Sequence, residues 1–152
     1  EVMAVKDFVI GVVFALVSTF GFSFLFQVDL KRIPLAVLGG GVEWATYLIV
    51  TQLGGDTFVA TLIASVIATF YSETCAHICR TPATVFLMPS LIPLVPGGSL
   101  YYTMSNLLSG DYSEAWVYGR ATIYVVLGIA GGVVAASLLV YAMRSTGIAR
   151  RR

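Results

Sequence analysis

Two acids and one histidine sit inside otherwise uncharged apolar stretches, and they are the first candidates for chemistry. Between Ile33 and Gly55 the only charged side chain is Glu43, and between Thr57 and Cys79 it is Glu73. Counted from Pro34, Glu43 lies ~14 Å along a helix, close to the middle of a ~30 Å hydrocarbon layer. A carboxylate at that depth costs at least ~2.5–3.5 kcal/mol on insertion scales, so it must be paired, protonated or facing a water-filled cavity. The functional expectation for Glu43 is proton coupling; the alternative is a neutral, hydrogen-bonded structural carboxyl. Thr61, Ser65, Thr69, Glu73 and His77 are four residues apart and share one helix face. Such a face can line a wet cavity, which makes Glu73 and His77 further proton-coupling candidates. The alternative is an interhelical hydrogen-bond seam with Glu73 and His77 reaching the headgroups.

A third feature is the run from Pro89 to Tyr102, in which Pro89, Pro93 and Pro96 fall within eight residues and Gly97-Gly98 follow at once. Each proline removes a backbone donor and clashes with the preceding turn, so the sequence predicts a broken helix here. Broken backbone at membrane depth is tolerated only inside protein or against a water-filled cavity. A second half-helix starting near Gly97 would aim the N–H groups of Gly98, Ser99 and Leu100 at an anion. Pro96, Gly97, Gly98, Ser99, Tyr101 and Tyr102 are therefore the expected substrate-binding residues, held against the alternatives of a plain proline kink and of tyrosines that only fill space.

These residues need elements that cross a bilayer. The 152-residue chain is 58% hydrophobic and 11% charged, and a soluble domain carries roughly 25% charged residues. Spans are predicted near 8–27, 34–53, 57–79, 84–108 and 115–143, giving a single all-α transmembrane domain over 1–152 with its fourth helix broken at Pro89–Gly98. Pro34 suits a first helical turn. Gly54-Gly55-Asp56-Thr57, Arg80-Thr81-Pro82 and Gly110 to Glu114 read as turns and caps, with Asp111 or Ser113 capping the last helix. The chain opens on Glu1-Val2 rather than on Met, which leaves open whether residues precede it. No cleavable signal peptide is expected, because the first apolar run is too long and lacks a suitable site.

With five crossings, Lys31, Arg32, Arg80, Arg144, Arg150, Arg151 and Arg152 fall on one side, and Lys6 and Arg120 on the other. The asymmetry predicts an outside N-terminus and a cytoplasmic C-terminus. Trp116, Tyr118 and Tyr141 fit interfacial belts. Ala60, Ala64, Ala68, Ser72 and Ala76 on the third span, and Gly128, Gly132 and Ala136 on the fifth, are stripes for close helix packing. Cys75 and Cys79, one helical turn apart, read as free apolar thiols. No phosphate loop, dinucleotide turn, metal-ligand cluster or nucleic-acid motif occurs, so no cofactor, metal or nucleic acid is expected. An intramembrane enzyme using Glu73 and His77 is the weaker alternative, since there is only a single histidine.

Phe26-Gln27-Val28 through Gly39-Gly40-Gly41, and Pro82-Ala83-Thr84-Val85-Phe86 leading to Ile92-Pro93-Leu94-Val95-Pro96-Gly97-Gly98-Ser99-Leu100-Tyr101, resemble the threonine/serine exporter family. Over nearly its whole length the chain is similar to the short five-span subunit, which also forms the C-terminal half of fused exporters. The resemblance implies secondary export of threonine and serine or, in the split branch, of succinate-like dicarboxylates, across a prokaryotic cytoplasmic membrane. It also implies a longer multi-span partner subunit. A homo-oligomer is the other assembly considered, and an accessory subunit that never touches substrate is the other role. An odd number of spans would invert a second repeat relative to the first, the usual basis of alternating access.

Overall fold

The computed structural model describes residues 5–145 apart from the side chain of Arg144. The Arg150-Arg151-Arg152 tail, which enters the orientation count, lies outside the described residues. The helices are α1 (Val5–Leu25), α2 (Ile33–Gln52), α3 (Thr57–Cys79), α4 (Thr84–Leu91), a 3-10 turn (Ile92–Leu94), α5 (Gly97–Leu108) and α6 (Tyr112–Ser145).

Four of these, α1, α2, α3 and α6, are long and apolar enough to cross a membrane. A fifth candidate crossing is interrupted. Thr84–Leu94 and Gly97–Leu108 meet at a 52° bend, which deflects the chain without turning it back. The break falls at Val95-Pro96, because Pro93 and Pro96 have no N–H to continue the ladder. Val95 N–H donates instead to Ile92 O at 3.1 Å, tightening the last turn to 3-10 geometry. The protein is a multi-pass, all-helical membrane protein.

The connections follow their local chemistry. Pro34 occupies the first turn of α2. Gly54 and Gly110 sit at φ +87° and +79°, a region that only glycine enters without cost. Asp111 is the cap of α6. Its carboxylate accepts hydrogen bonds from the Glu114 N–H at 3.2 Å and the Ser113 hydroxyl at 2.8 Å. The Glu114 N–H first, and the Ser113 hydroxyl second, hold its pKa below the usual carboxylate value. A depressed folded pKa contributes stability above the unfolded value that fades as pH falls through the folded one. Asp111→Ala should therefore lower the thermal midpoint at pH 7, and the gap to wild type should close on acidification toward pH ~3. A gap that persists in acid would remove the carboxylate from the explanation.

Alpha-3 is the centre of the bundle. It packs on α2 along one side and most extensively on α6 along another. Ala60, Ala64, Ala68, Ser72 and Ala76 are all buried, as the four-residue repeat requires. Against the neighbouring face lie the α6 glycines. A Cβ on Gly132 would come within 2.6 Å of the Leu62 carbonyl oxygen and 2.8 Å of the Ser65 Cβ, and one on Gly128 would strike the Thr61 hydroxyl.

This contact changes the reading of the polar stripe. Thr61, Ser65 and Thr69 are buried, yet they line no wet cavity. The Thr61 hydroxyl donates to Thr57 O at 2.8 Å, that of Thr69 to Ser65 O at 2.7 Å, and that of Ser65 to Thr61 O. Each hydroxyl is satisfied by its own helix, so the stripe is a dry surface on which α6 rides. The alternative of an interhelical hydrogen-bond seam is not what is seen, because these hydrogen bonds are intrahelical and the contact with α6 is one of packing.

Alpha-6 has 34 residues, so it is ~51 Å long, well beyond a ~30 Å hydrocarbon layer. Its first third pairs with α5, through Thr122 to Ser99 at 3.0 Å, and its remainder pairs with α3. The interrupted span is thereby divided between two bodies: α4 packs on α2 and α3, whereas α5 packs on α6.

Candidate transport site

Glu43 projects from the tightest part of α2. The preceding turn, Gly39-Gly40-Gly41, has no room for side chains. A Cβ on Gly39 would meet the Tyr71 ring at 3.0 Å and the Ser90 Cβ at 3.3 Å, one on Gly40 would strike the Thr19 hydroxyl, and one on Gly41 would press on Leu16 at 2.6 Å. Alpha-1, α3 and α4 therefore close directly on the α2 backbone. Glu43 lies one turn further along this face, and its side chain is completely buried. Among the described residues neither carboxyl oxygen has a hydrogen-bond partner, nor do the buried Trp44 Nε1 and Ser72 Oγ. The alternative of a hydrogen-bonded structural carboxyl is not what is seen. From the start of α2, Glu43 is ~15 Å deep, and from the start of α4 the break at Val95-Pro96 is ~17 Å deep. Both elements begin at the same face of the bundle, where Asp29 and Arg32 line one pocket with Thr84 and Val85.

Fully buried polar residues that sequence reasoning did not select as site residues are Thr19 and Ser90, which meet the Gly39-Gly40 turn below Glu43, and Ser72 on α3. Thr19 donates to Ala15 O at 2.8 Å and Ser90 to Leu87 O at 3.0 Å. Ala15, Thr19 and Ser23 are the buried residues of α1, and their four-residue spacing was the available signal. Ser72 had been read only as a small packing residue. Tyr71 donates its hydroxyl to Leu35 O at 2.8 Å, tying α3 to the first turn of α2.

The other expected proton-coupling residues are elsewhere. Glu73 is half-buried and His77 exposed, near the C-terminal end of α3, and they are not brought together with Glu43. They line an open groove of about 870 Å3 at the α3–α4 corner with Arg80, Thr81 and Pro82. Arg80 ends α3 in the left-handed conformation at φ 50°, ψ 51°, with Thr81 N–H returning to Ala76 O at 3.0 Å. That helix-ending pattern favours glycine, and an arginine there costs about 1–2 kcal/mol. Cys75 and Cys79 are free thiols. Among the described residues no cluster of His, Cys, Asp or Glu could hold a metal ion.

The expected substrate residues open α5. Pro96 and Ser99 are half-buried, whereas Gly97 and Gly98 are exposed, and no atom lies within 4 Å of a Cβ built on either glycine. The expected trio of free donors is reduced to two. Leu100 N–H reaches Pro96 O at 3.0 Å, leaving Gly98 and Ser99 without a backbone acceptor among the described residues. The Ser99 hydroxyl donates to Pro96 O at 3.2 Å and accepts from Thr122 at 3.0 Å, so its contacts lie within the α5–α6 pair. Tyr101 and Tyr102 are 66% and 52% exposed, so they are not core fillers. Tyr102 lies 5.2 Å from the Tyr118 ring. No residue of α5 is buried.

A buried acid on α2 and an interrupted span packed against that helix are features that transporters use. The family model described as threonine/serine exporter, ThrE, matches residues 11–139. The chain belongs to the threonine/serine exporter family. It is a multi-pass membrane protein of an exporter family, and the match extends over α2, α3, α4 and α5 entirely, including Glu43 and the broken span. No solved structure matches the exporter chain.

Proposed function

We propose that the chain is one subunit of a secondary exporter of small carboxylate metabolites, either threonine and serine or succinate-like dicarboxylates, and that it is coupled to protons through Glu43. The observation that carries this reading is the Glu43 carboxyl, fully buried at mid-depth with both oxygens unbonded. A permanent charge without partners is not tolerated there, whereas a group that takes up and gives back a proton is. The binding residues proposed are Pro96, Gly97, Gly98, Ser99, Tyr101 and Tyr102, with Glu73 and His77 as lesser members of the proton path.

The open start of α5 supports a subunit role. Amides that lack an acceptor cost several kcal/mol each in hydrocarbon, yet Gly98 and Ser99 lack one and the face around them is uncovered. A partner, a longer family member or a second copy, would close this face and complete an anion site between the two chains. The basic connections at Lys31, Arg32 and Arg80 are proposed to face the cytoplasm. A reporter active only in the cytoplasm and fused after Arg152 should then be active; an inactive fusion would reverse the orientation.

The reading is tested in proteoliposomes containing the assembled transporter, by following export of labelled threonine and succinate under an imposed pH gradient. Transport of one of the two should collapse when a protonophore dissipates the gradient. Because no atom of this chain lies against Gly97, Gly97→Leu should leave the fold and thermal stability of the chain unchanged yet weaken transport about tenfold or more, by blocking approach to the Gly98 and Ser99 donors. Normal transport by this variant would favour the accessory role, in which the chain stabilises a complex without meeting substrate.

A further inference from the structure

We propose that four buried side chains, Thr19, Glu43, Ser72 and Ser90, form a site for one sodium ion between α1, α2, α3 and α4. The proposal rests on the reading of Glu43 as the coupling group and names a second ion that this group takes. Ala36, Ala76 and Phe86 belong to one packed cluster that joins α2, α3 and α4. One helical turn on, forward in α2 and α4 and backward in the antiparallel α3, stand Gly40, Ser90 and Ser72, which form the next layer. The same layer shows in the glycine contacts. A Cβ on Gly39 would meet the Ser90 Cβ at 3.3 Å and the ring of Tyr71, the neighbour of Ser72, at 3.0 Å, and one on Gly40 would strike the Thr19 hydroxyl. Side chains on a helix tip toward its N-terminus, so the Glu43 carboxyl leans back over Gly39 and Gly40 into this layer.

What these groups offer is almost purely acceptor. The Thr19 hydroxyl donates its proton to Ala15 O at 2.8 Å, and that of Ser90 donates to Leu87 O at 3.0 Å. Each oxygen keeps lone pairs for another partner. Ser72 Oγ and both Glu43 oxygens have no hydrogen-bond partner among the described residues, and all four residues are fully buried. The remaining unpartnered group, Trp44 Nε1, lies 2.9 Å from a Cβ built on Gly11, two turns along α1 from Thr19, so it brings no N–H to the layer. One carboxylate among neutral oxygens is the ligand set of a hard cation. The charge count selects a monovalent ion. Glu43 neutralises one positive charge, whereas a divalent ion would leave a net charge inside the bundle. Close packing at Gly39 and Gly40 favours sodium over the larger potassium.

The test is equilibrium binding of radioactive sodium to the full chain in lipid nanodiscs at one fixed pH, with choline chloride holding the ionic strength constant. Wild type should bind it saturably, with potassium competing about tenfold more weakly than unlabelled sodium. Glu43→Gln should abolish the saturable binding. Ser72→Ala and Ser90→Ala, which each remove one neutral oxygen and keep the carboxylate, should weaken it about tenfold. Thr46→Ala, whose hydroxyl serves Val42 O outside the layer, should bind as wild type does. Should Glu43→Gln fail to assemble, the two serine variants decide. No saturable binding to wild type, or wild-type affinity in both serine variants, would overturn the sodium site. Export driven by a pH gradient that still depends on Glu43 would then leave the coupling reading standing. Sodium binding lost in Glu43→Gln, together with wild-type export by that variant, would uphold the site and overturn the coupling role of Glu43.

Discussion

Replacing Glu43 by glutamine is expected to reduce proton-coupled export to the level of empty vesicles while the bundle still assembles. Glutamine has nearly the shape of glutamic acid, so the packing of α1, α3 and α4 on the Gly39-Gly40-Gly41 turn has no steric reason to change. No hydrogen bond is lost, because neither oxygen of Glu43 makes one. What disappears is the ability to carry a proton. Exchange of substrate for substrate, which needs no net proton movement, should survive in Glu43→Gln if the acid serves coupling alone. The readouts are pH-gradient-driven export and exchange in the same proteoliposomes, with size-exclusion profiles to verify assembly. Normal gradient-driven export would end the proton-carrier assignment, and failure to assemble would return Glu43 to a structural role.

The second large effect is steric and falls on two adjacent glycines. Gly132→Ala should destabilise the chain by about 1–3 kcal/mol, the usual cost of overpacking, and Gly132→Leu should prevent α6 from docking. A Cβ there would meet the Leu62 carbonyl oxygen at 2.6 Å, the Ser65 Cβ at 2.8 Å and the Val66 amide nitrogen at 3.2 Å, and the two backbone atoms cannot swing aside. Gly131→Ala, one residue earlier, should be close to neutral, because its nearest neighbour is a Leu62 methyl carbon at 3.9 Å. Thermal unfolding of the two alanine variants in one lipid or detergent measures the difference. Equal stabilities would mean that α6 does not ride on α3 as described.

Both expectations depend on residues that the sequence exposes to different degrees. The crossings are legible because hydrocarbon admits no unsatisfied backbone, so a crossing must be a long apolar helix. Spans expected at 34–53 and 57–79 appear as Ile33–Gln52 and Thr57–Cys79. The interruption is equally local, since Pro93 and Pro96 remove donors whatever surrounds them. The overlong α6 was less legible: the charged and aromatic residues from Tyr112 to Arg120 mark an interface, but they do not stop a helix.

Helical spacing groups residues by face without saying which neighbour a face meets. Thr61, Ser65 and Thr69 formed a polar stripe in the sequence, and only the approach of Gly128 and Gly132 made that stripe a dry contact. The stripe's last members, Glu73 and His77, lie at a groove because α3 ends at Arg80, and nothing in residue type announces a left-handed arginine. The sequence by itself determined that an acid lies midway along α2 and that the α4–α5 pair breaks midway, since both follow from counting residues along rigid helices. The absence of any partner for that acid, and the open face of the broken span, were decided by the tertiary structure. Whether a buried polar group is satisfied depends on atoms brought to it from distant segments, and those atoms are positioned only once the helices pack.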